Sequence, residues 1–173
     1  MAGAIAPTGV ERHFDPADII VSKTDLKGRI TYANQVFLKI AGYSEAEVIG
    51  QPHRIIRHPD TPRAVFKFLW DVVFDGQEVF AYVKNMTKRG DHYWVFAHVT
   101  PSFDPSGGVV GFHSNRRVPK RSAIKAVEPL YADLLRIEGQ YKSGKDGLSA
   151  SFQHLQDVVK SRGSSYEEFV LAL

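Results

Sequence analysis

The sequence predicts an α+β fold: a five-stranded antiparallel sheet with short helices on one face, followed by a C-terminal helical extension. Three observations carry this prediction. Two short β-prone runs flank a turn near the N-terminus, three longer ones joined by turn-rich loops lie between positions 78 and 117, and helix-forming sequence follows Pro119. Strands joined by such short loops are antiparallel neighbours, and a sheet needs helices to cover an apolar face.

In chain order, residues 1–17 are small, polar and punctuated by Pro and Gly, and read as a flexible N-terminal arm. Ile19–Lys23 and Arg29–Ala33 form a hairpin about the turn Asp25-Leu-Lys-Gly28. Asn34 caps a short helix that Gly42 ends. Ser44 and Glu47 make a capping box for another. The segment QPHRIIRHPD, residues 51–60, is irregular. A longer helix follows, with Thr61 as its cap and Pro62 at its first position. Its apolar stripe of Val65, Phe66, Leu69, Trp70, Val73 and Phe74 recurs at spacings of three and four. Gly76 stops it. Three strands come next: Glu78–Met86, His92–Thr100 and Val109–Arg117. Helices are expected over Ala123–Glu138, Ser149–Lys160 and Tyr166–Leu173, separated at Gly144 and Gly147 and again at Gly163–Ser165. The chain therefore divides into an arm (1–17), a central domain (18–119) and a helical extension (120–173).

Composition bounds the chemistry. The chain has 173 residues, 22 Lys and Arg against 19 Asp and Glu, and no cysteine. Disulfides, thiolate metal sites, cysteine-ligated iron–sulfur clusters and cysteine nucleophiles are thereby excluded. A charge of +3 is too mild to argue for nucleic acid, and the run RRVPKR at 116–121 reads as a solvated junction. No apolar run approaches the roughly 20 residues of a membrane span. The start lacks a secretory signal, so a cytoplasmic location is expected. No nucleophile stands with a base and no carboxylates pair in a pocket, so an enzyme is not expected. His92 and His98 make no metal site, since six residues along a strand separate them by about 20 Å.

The stretch TDLKGRITYANQVFLKIAGYSEAEVIGQPHRIIRHPD resembles the N-terminal half of PAS domains in bacterial aerotaxis receptors. VKNMTKRGDHYWVFAHVTP resembles the strand pair that follows in them, and AVEPLYADL the segment after the domain. YAN and GYS are shared widely among PAS domains; RHPDTP, and VKN followed by GDHYW, are much narrower. The resemblance runs over about Ile20–Leu135. It implies non-covalent FAD, a role in reading redox state or oxygen, and a downstream chemotaxis-type signalling partner. Aerotaxis receptors continue into a membrane anchor and an output domain, which this sequence does not contain.

That resemblance gives the candidate residues roles. Arg57, His58 and Asp60 are implied in FAD binding: Arg57 and His58 offer donors to a pyrophosphate, and Asp60 can hold a ribose hydroxyl or lock the loop. A solvated basic loop explains the same three. Asn85 falls on one strand face with Val79, Ala81 and Val83, and an amide there can serve both the donor and the acceptor of a flavin edge; the competing reading is a bond to its own hairpin. Tyr93, Val95, Ala97 and Val99 are expected on the same face, and with them Gly111, His113 and Asn115. His113 faces either the flavin or the core. Trp70 stacks on a ring or packs the core. Asn34 reaches the cofactor or caps its helix. With no cysteine, a covalent light adduct is excluded, leaving electron transfer as the input. A haem sensor with His53 or His58 as axial ligand, and a cofactor-free dimerisation module, are the alternatives.

Alternation places Phe80, Tyr82, Trp94, Phe96 and Phe112 on the opposite face. Five aromatics on three adjacent strands are too large a patch to leave in water. They predict homodimerisation or helix docking there.

Overall fold

The computed structural model describes residues 5–162 and 165–173. The first hairpin is β1 (Ile20–Thr24) and β2 (Ile30–Ala33). The Asp25 carboxylate shapes its turn by accepting the N–H groups of Lys27 and Arg29. Helices α1 (Gln35–Ala41) and α2 (Glu45–Val48) follow, the second opening on the Ser44–Glu47 capping box. His53–Ile56 is a single 3₁₀ turn. Then come α3 (Arg63–Phe74) and the strands β3 (Val79–Met86), β4 (His92–Phe103) and β5 (Val109–Arg117). All pairings are antiparallel and the spatial order is β2-β1-β5-β4-β3. β1 and β5 are therefore central, and β3 is an edge.

Helices α1 to α3 cover one sheet face. Phe37, Ile56, Val65, Val83, Tyr93 and Val95 are buried in the core they share with it. Thr61 does not cap α3; Pro62 holds that position. The Thr61 hydroxyl turns to the edge of β3, where it bonds both the backbone carbonyl and the amide of Lys84. Two unpaired edge groups outcompete one helix N–H.

The expected phase of β5 is inverted. Ala97 pairs with Arg116, Val99 with Ser114 and Pro101 with Phe112. Cross-strand partners share a face, so Phe112, Ser114 and Arg116 point inward, while His113 and Asn115 point outward. The register slips by a bulge at Ser102/Phe103. Besides, the inner face of β5 carries Ser and Arg, so its hydrophobicity does not reveal the phase.

The extension forms α4 (Arg121–Gly139), α5 (Gly144–Ser161) and α6 (Tyr166–Leu171). Gly144 and Gly147 do not separate helices; they lie in the first turns of α5, which Ser143 caps. A Cβ on Gly147 would stand 2.6 Å from the Glu138 carbonyl, so this glycine lets α5 cross closely over α4. Of the predicted break at Gly163–Ser165, Gly163 and Ser164 lie outside the described residues. α4 runs over the outer sheet face: the Tyr131 hydroxyl donates to the Tyr82 carbonyl, and the Trp94 and Tyr131 rings lie 6.2 Å apart. α5 packs on α3 and α4, and α6 on β3. The extension thus covers much of the aromatic face and wraps round the β3 edge.

The N-terminal arm is tied down between Thr8 and Arg12, contrary to a freely flexible segment. Thr8 and Arg12 donate backbone bonds to Gly90 and His92, His92 donates to Val10, and the Thr8 and Arg12 side chains both donate to the Asp91 carboxylate. Gly90 is required here, at φ 93° with the Ala6 carbonyl 2.2 Å from where a Cβ would sit.

Candidate functional site

Between the inner sheet face, the 3₁₀ turn and α3 lies a cavity of about 470 Å³. Strand alternation supplies one wall: Ser22 and Thr24 from β1, Asn85 from β3, Ala97 and Val99 from β4, and Phe112, Ser114 and Arg116 from β5. α3 supplies the opposite wall with Phe66, Leu69 and Trp70, one turn of apolar stripe facing inward. Leu26 and Phe74, 45% and 53% exposed, sit at the mouth.

The charge of this lining is one-sided. Lys27, Arg54, Arg57 and Arg116 line it, and no aspartate or glutamate does. Among the described residues none of these four makes a salt bridge. Arg116 is the deepest, only 3% exposed. Its Nη2 donates to Ser22 Oγ at 2.6 Å and to His53 Nε2 at 2.7 Å. Guanidinium only donates, so His53 Nε2 accepts, and its proton sits on Nδ1. Burial, reinforced by the Arg116 charge, pushes His53 down to about 3. Burial brings Arg116 down to about 10, which leaves it a cation at neutral pH. A buried cation without a counter-ion is costly.

Three buried polar atoms on this lining have no partner: Thr24 Oγ1, Asn85 Nδ2 and Arg116 Nη1. Buried polar groups are rarely left so. Together they describe a cavity shaped for a ligand that is aromatic or apolar in body, carries hydrogen-bonding edges, and is negatively charged.

Of the residues singled out from sequence, Arg57, Asn85 and Trp70 line the cavity, as does His53, the alternative haem ligand. The Arg57 guanidinium lies 4.0 Å from the Phe66 ring centroid, and Trp70 meets Phe112 edge-on at 5.3 Å. His58 and Asp60 do not line it. His58 is buried behind the loop, its Nδ1 accepting the Asp60 N–H and its ring edge-on to His92 at 5.7 Å. Asp60 pairs with Lys84 Nζ at 2.7 Å. Asn34 caps α1 and also ties Val21 N–H and the Ile19 carbonyl. Tyr93 is fully buried on the inner face beside Asn85, its hydroxyl unpartnered. His113 is on the other face, opposite Lys23 and Thr100. Phe112 leaves the outer aromatic set for the cavity wall; Phe80, Tyr82, Trp94 and Phe96 remain on it. Ser22, Thr24, Lys27, Arg54, Ser114 and Arg116 are the polar lining residues that reading the sequence did not assign to the site. An arginine two residues from a serine on a strand was the available signal, and it required the phase of β5.

The PAS fold model matches residues 30–116, half of the chain and the whole of the cavity-bearing sheet beyond β1. The chain belongs to the PAS family. This PAS domain is 43% identical to the aerotaxis receptor of Escherichia coli (strain K12) over 115 residues, which is 66% of this chain and 22% of the receptor. It is 31% identical to the nitrogen fixation regulatory protein of Klebsiella pneumoniae over 93 residues, 54% of this chain and 19% of that protein. The chain thus spans about a fifth of the length of these relatives, which are named as a receptor and a regulator rather than for a reaction. In fold the domain is similar to a light-oxygen-voltage domain studied with a flavin analogue, with TM-score 0.56 and 24% identity over 63% of this chain and 82% of that one. The light-state LOV domain of Aureochrome1 superposes with TM-score 0.55 at 24% identity, over 68% and 91% of the two chains. No helix among the described residues of this PAS domain is long and apolar enough to cross a membrane.

Proposed function

We propose that this PAS domain binds FAD non-covalently and reports the redox state of the flavin to a signalling partner, in the manner of aerotaxis sensing. The observation that carries the proposal is the acid-free, four-cation lining with three unpartnered polar atoms. Asn85 and Thr24 offer their free polar atoms to a ring edge. Arg57, Arg54 and Lys27, nearer the mouth, offer charge to phosphates. Phe66, Leu69 and Trp70 pack the apolar body. Bound flavin supplies reversible electron acceptance, with a gain of negative charge on reduction. Arg116 favours such charge because it is held, dry and unpaired, in a low-dielectric wall. His53 orients Arg116 and stays neutral. The absence of cysteine removes any thiol that could bond to the ring.

The haem alternative finds little support in the geometry. His53 Nε2 is engaged by Arg116, and His58 lies outside the cavity. A cofactor-free scaffold leaves the three polar atoms unexplained. The partner reading is a chemotaxis-type signalling protein. The homodimer reading narrows to the strip that α4 leaves open, where Phe80 stacks on His98 at 4.3 Å and on Phe96 at 5.7 Å. A cytoplasmic location accords with this role.

The test is the visible absorption spectrum of the purified protein before and after incubation with FAD, followed by anaerobic reduction. The two-band flavin spectrum, bleaching on reduction, is the expected result. A protein that stays colourless after reconstitution sinks the proposal, and a Soret band replaces it with haem.

A further inference from the structure

Thr61 does not line the cavity, yet it sits where the RHPD loop meets the strand that carries Asn85. It is 1% exposed. Its hydroxyl donates to the Lys84 carbonyl at 2.8 Å and accepts the Lys84 N–H at 3.2 Å. β3 is an edge strand, so these two backbone groups have no neighbouring strand to bond. A hydroxyl is suited to the place because it both donates and accepts. The loop adds an antiparallel bridge between Arg57 and Asn85, and the Asp60–Lys84 ion pair at 2.7 Å. Residues 57–61 thus act as a short extra strand for β3 at Lys84–Asn85. On the other side Asn85 is held opposite Tyr93 by β4.

Asn85 is 4% exposed and its amide nitrogen is unpartnered. Its side-chain neighbour is the Tyr93 hydroxyl, itself without another partner, so its placement depends chiefly on the backbone it hangs from. That backbone is fixed from the edge side by Thr61. We infer that Thr61 is a positioning residue for the ligand, setting where Asn85 meets the polar edge of a bound flavin without contacting it. The inference rests on the flavin reading above. It also gives the RHPDTP motif a role: Arg57 faces the cavity, Asp60 and Thr61 hold the strand beside it, and His58 fixes the loop by accepting the Asp60 N–H.

The substitutions that test it are T61V, which keeps the shape and deletes the hydroxyl, and T61S, which keeps the hydroxyl. FAD affinity is measured by fluorescence titration of the reconstituted full chain. T61V is expected to bind at least about tenfold more weakly and T61S within about threefold of wild type. The visible bands of T61V-bound flavin are expected to shift. In the N85A background T61V is expected to add little further loss, because its effect runs through Asn85. Additive losses in that cycle, or an unshifted T61V at wild-type affinity, overturn the proposal while leaving the flavin reading intact. A wild type that binds no flavin overturns both. Should T61V fail to fold, hydrogen exchange in the wild type decides: a protected Lys84 amide is required, and exchange at solvent rates overturns the positioning role.

Discussion

Arg116 shows how a single residue reveals a site. An arginine in a central strand of a small domain normally points to water; this one is buried with one nitrogen unpartnered and only neutral acceptors on the other. Two effects oppose each other when it is replaced by methionine. The apo protein sheds the desolvation of a lone cation, and trading buried charge for an apolar side chain is commonly neutral or stabilising. It also loses two charge-assisted hydrogen bonds, each worth about 1.5 kcal/mol or more. The two effects nearly cancel, so apo R116M should keep a stability within about 1 kcal/mol of wild type. Flavin affinity should fall at least about tenfold. Thermal melts with and without FAD read both quantities. A variant that loses stability and keeps its affinity removes Arg116 from the site.

At the scale of elements, the segment His53–Asp60 decides what the sequence could show. Its residue types announced a functional loop. Their roles were not legible, because in an irregular turn no period says which side chain faces inward. Arg57 faces the cavity; His58 faces His92 behind it. The helices and strands with a clean period, α1 to α3 and the β3–β4 pair, fell close to their predicted places. β5 has no such period and came out inverted, which hid Arg116 and misplaced His113 and Phe112. The same segment also sets an acid response. Burial, helped by Arg116, holds His53 at about 3, and burial with Lys84 holds His58 at about 4. Both are lowered from an unfolded value near 6.5. Below that value the unfolded chain binds more protons than the folded one, so stability falls with pH from about 6.5 towards 3. Each histidine contributes a slope of up to about 1.4 kcal/mol per pH unit, His53 down to about 3 and His58 only down to about 4. Urea denaturation of wild type and H53Q between pH 7 and about 4 tests this. H53Q should show the shallower pH dependence, and equal slopes would remove His53 as a source.

For the whole molecule, the extension is the part that sequence reading placed least well, since nothing in a helical period says where a helix docks. It clasps the sensor from two sides, with α4 on the outer face and α5 and α6 round the β3 edge onto α3. Glu138 is the joint. Its carboxylate, 8% exposed, accepts from Arg63 Nε at 2.8 Å, from the Ala64 amide in the first turn of α3 at 3.1 Å, and from Ser151 on α5 at 3.3 Å. Arg63 in turn donates to the Gly144 carbonyl at the start of α5. The helix that walls the cavity is thereby keyed to α4 and α5, the route by which the proposed flavin signal would leave the sensor. Deleting one partner of a buried pair leaves the other unpaired, at a cost of about 3 kcal/mol. Arg63 is 40% exposed and recovers part of that from water, so E138A should cost nearer about 2 kcal/mol. The loss should not be uniform. Hydrogen exchange should quicken in α5, α6 and the first turn of α3, while the central strands β1 and β5 keep their protection and the cavity keeps its ligand. An equal loss of protection across sheet and helices would mean that the extension is part of one cooperative core, and that Glu138 is no joint between sensor and output.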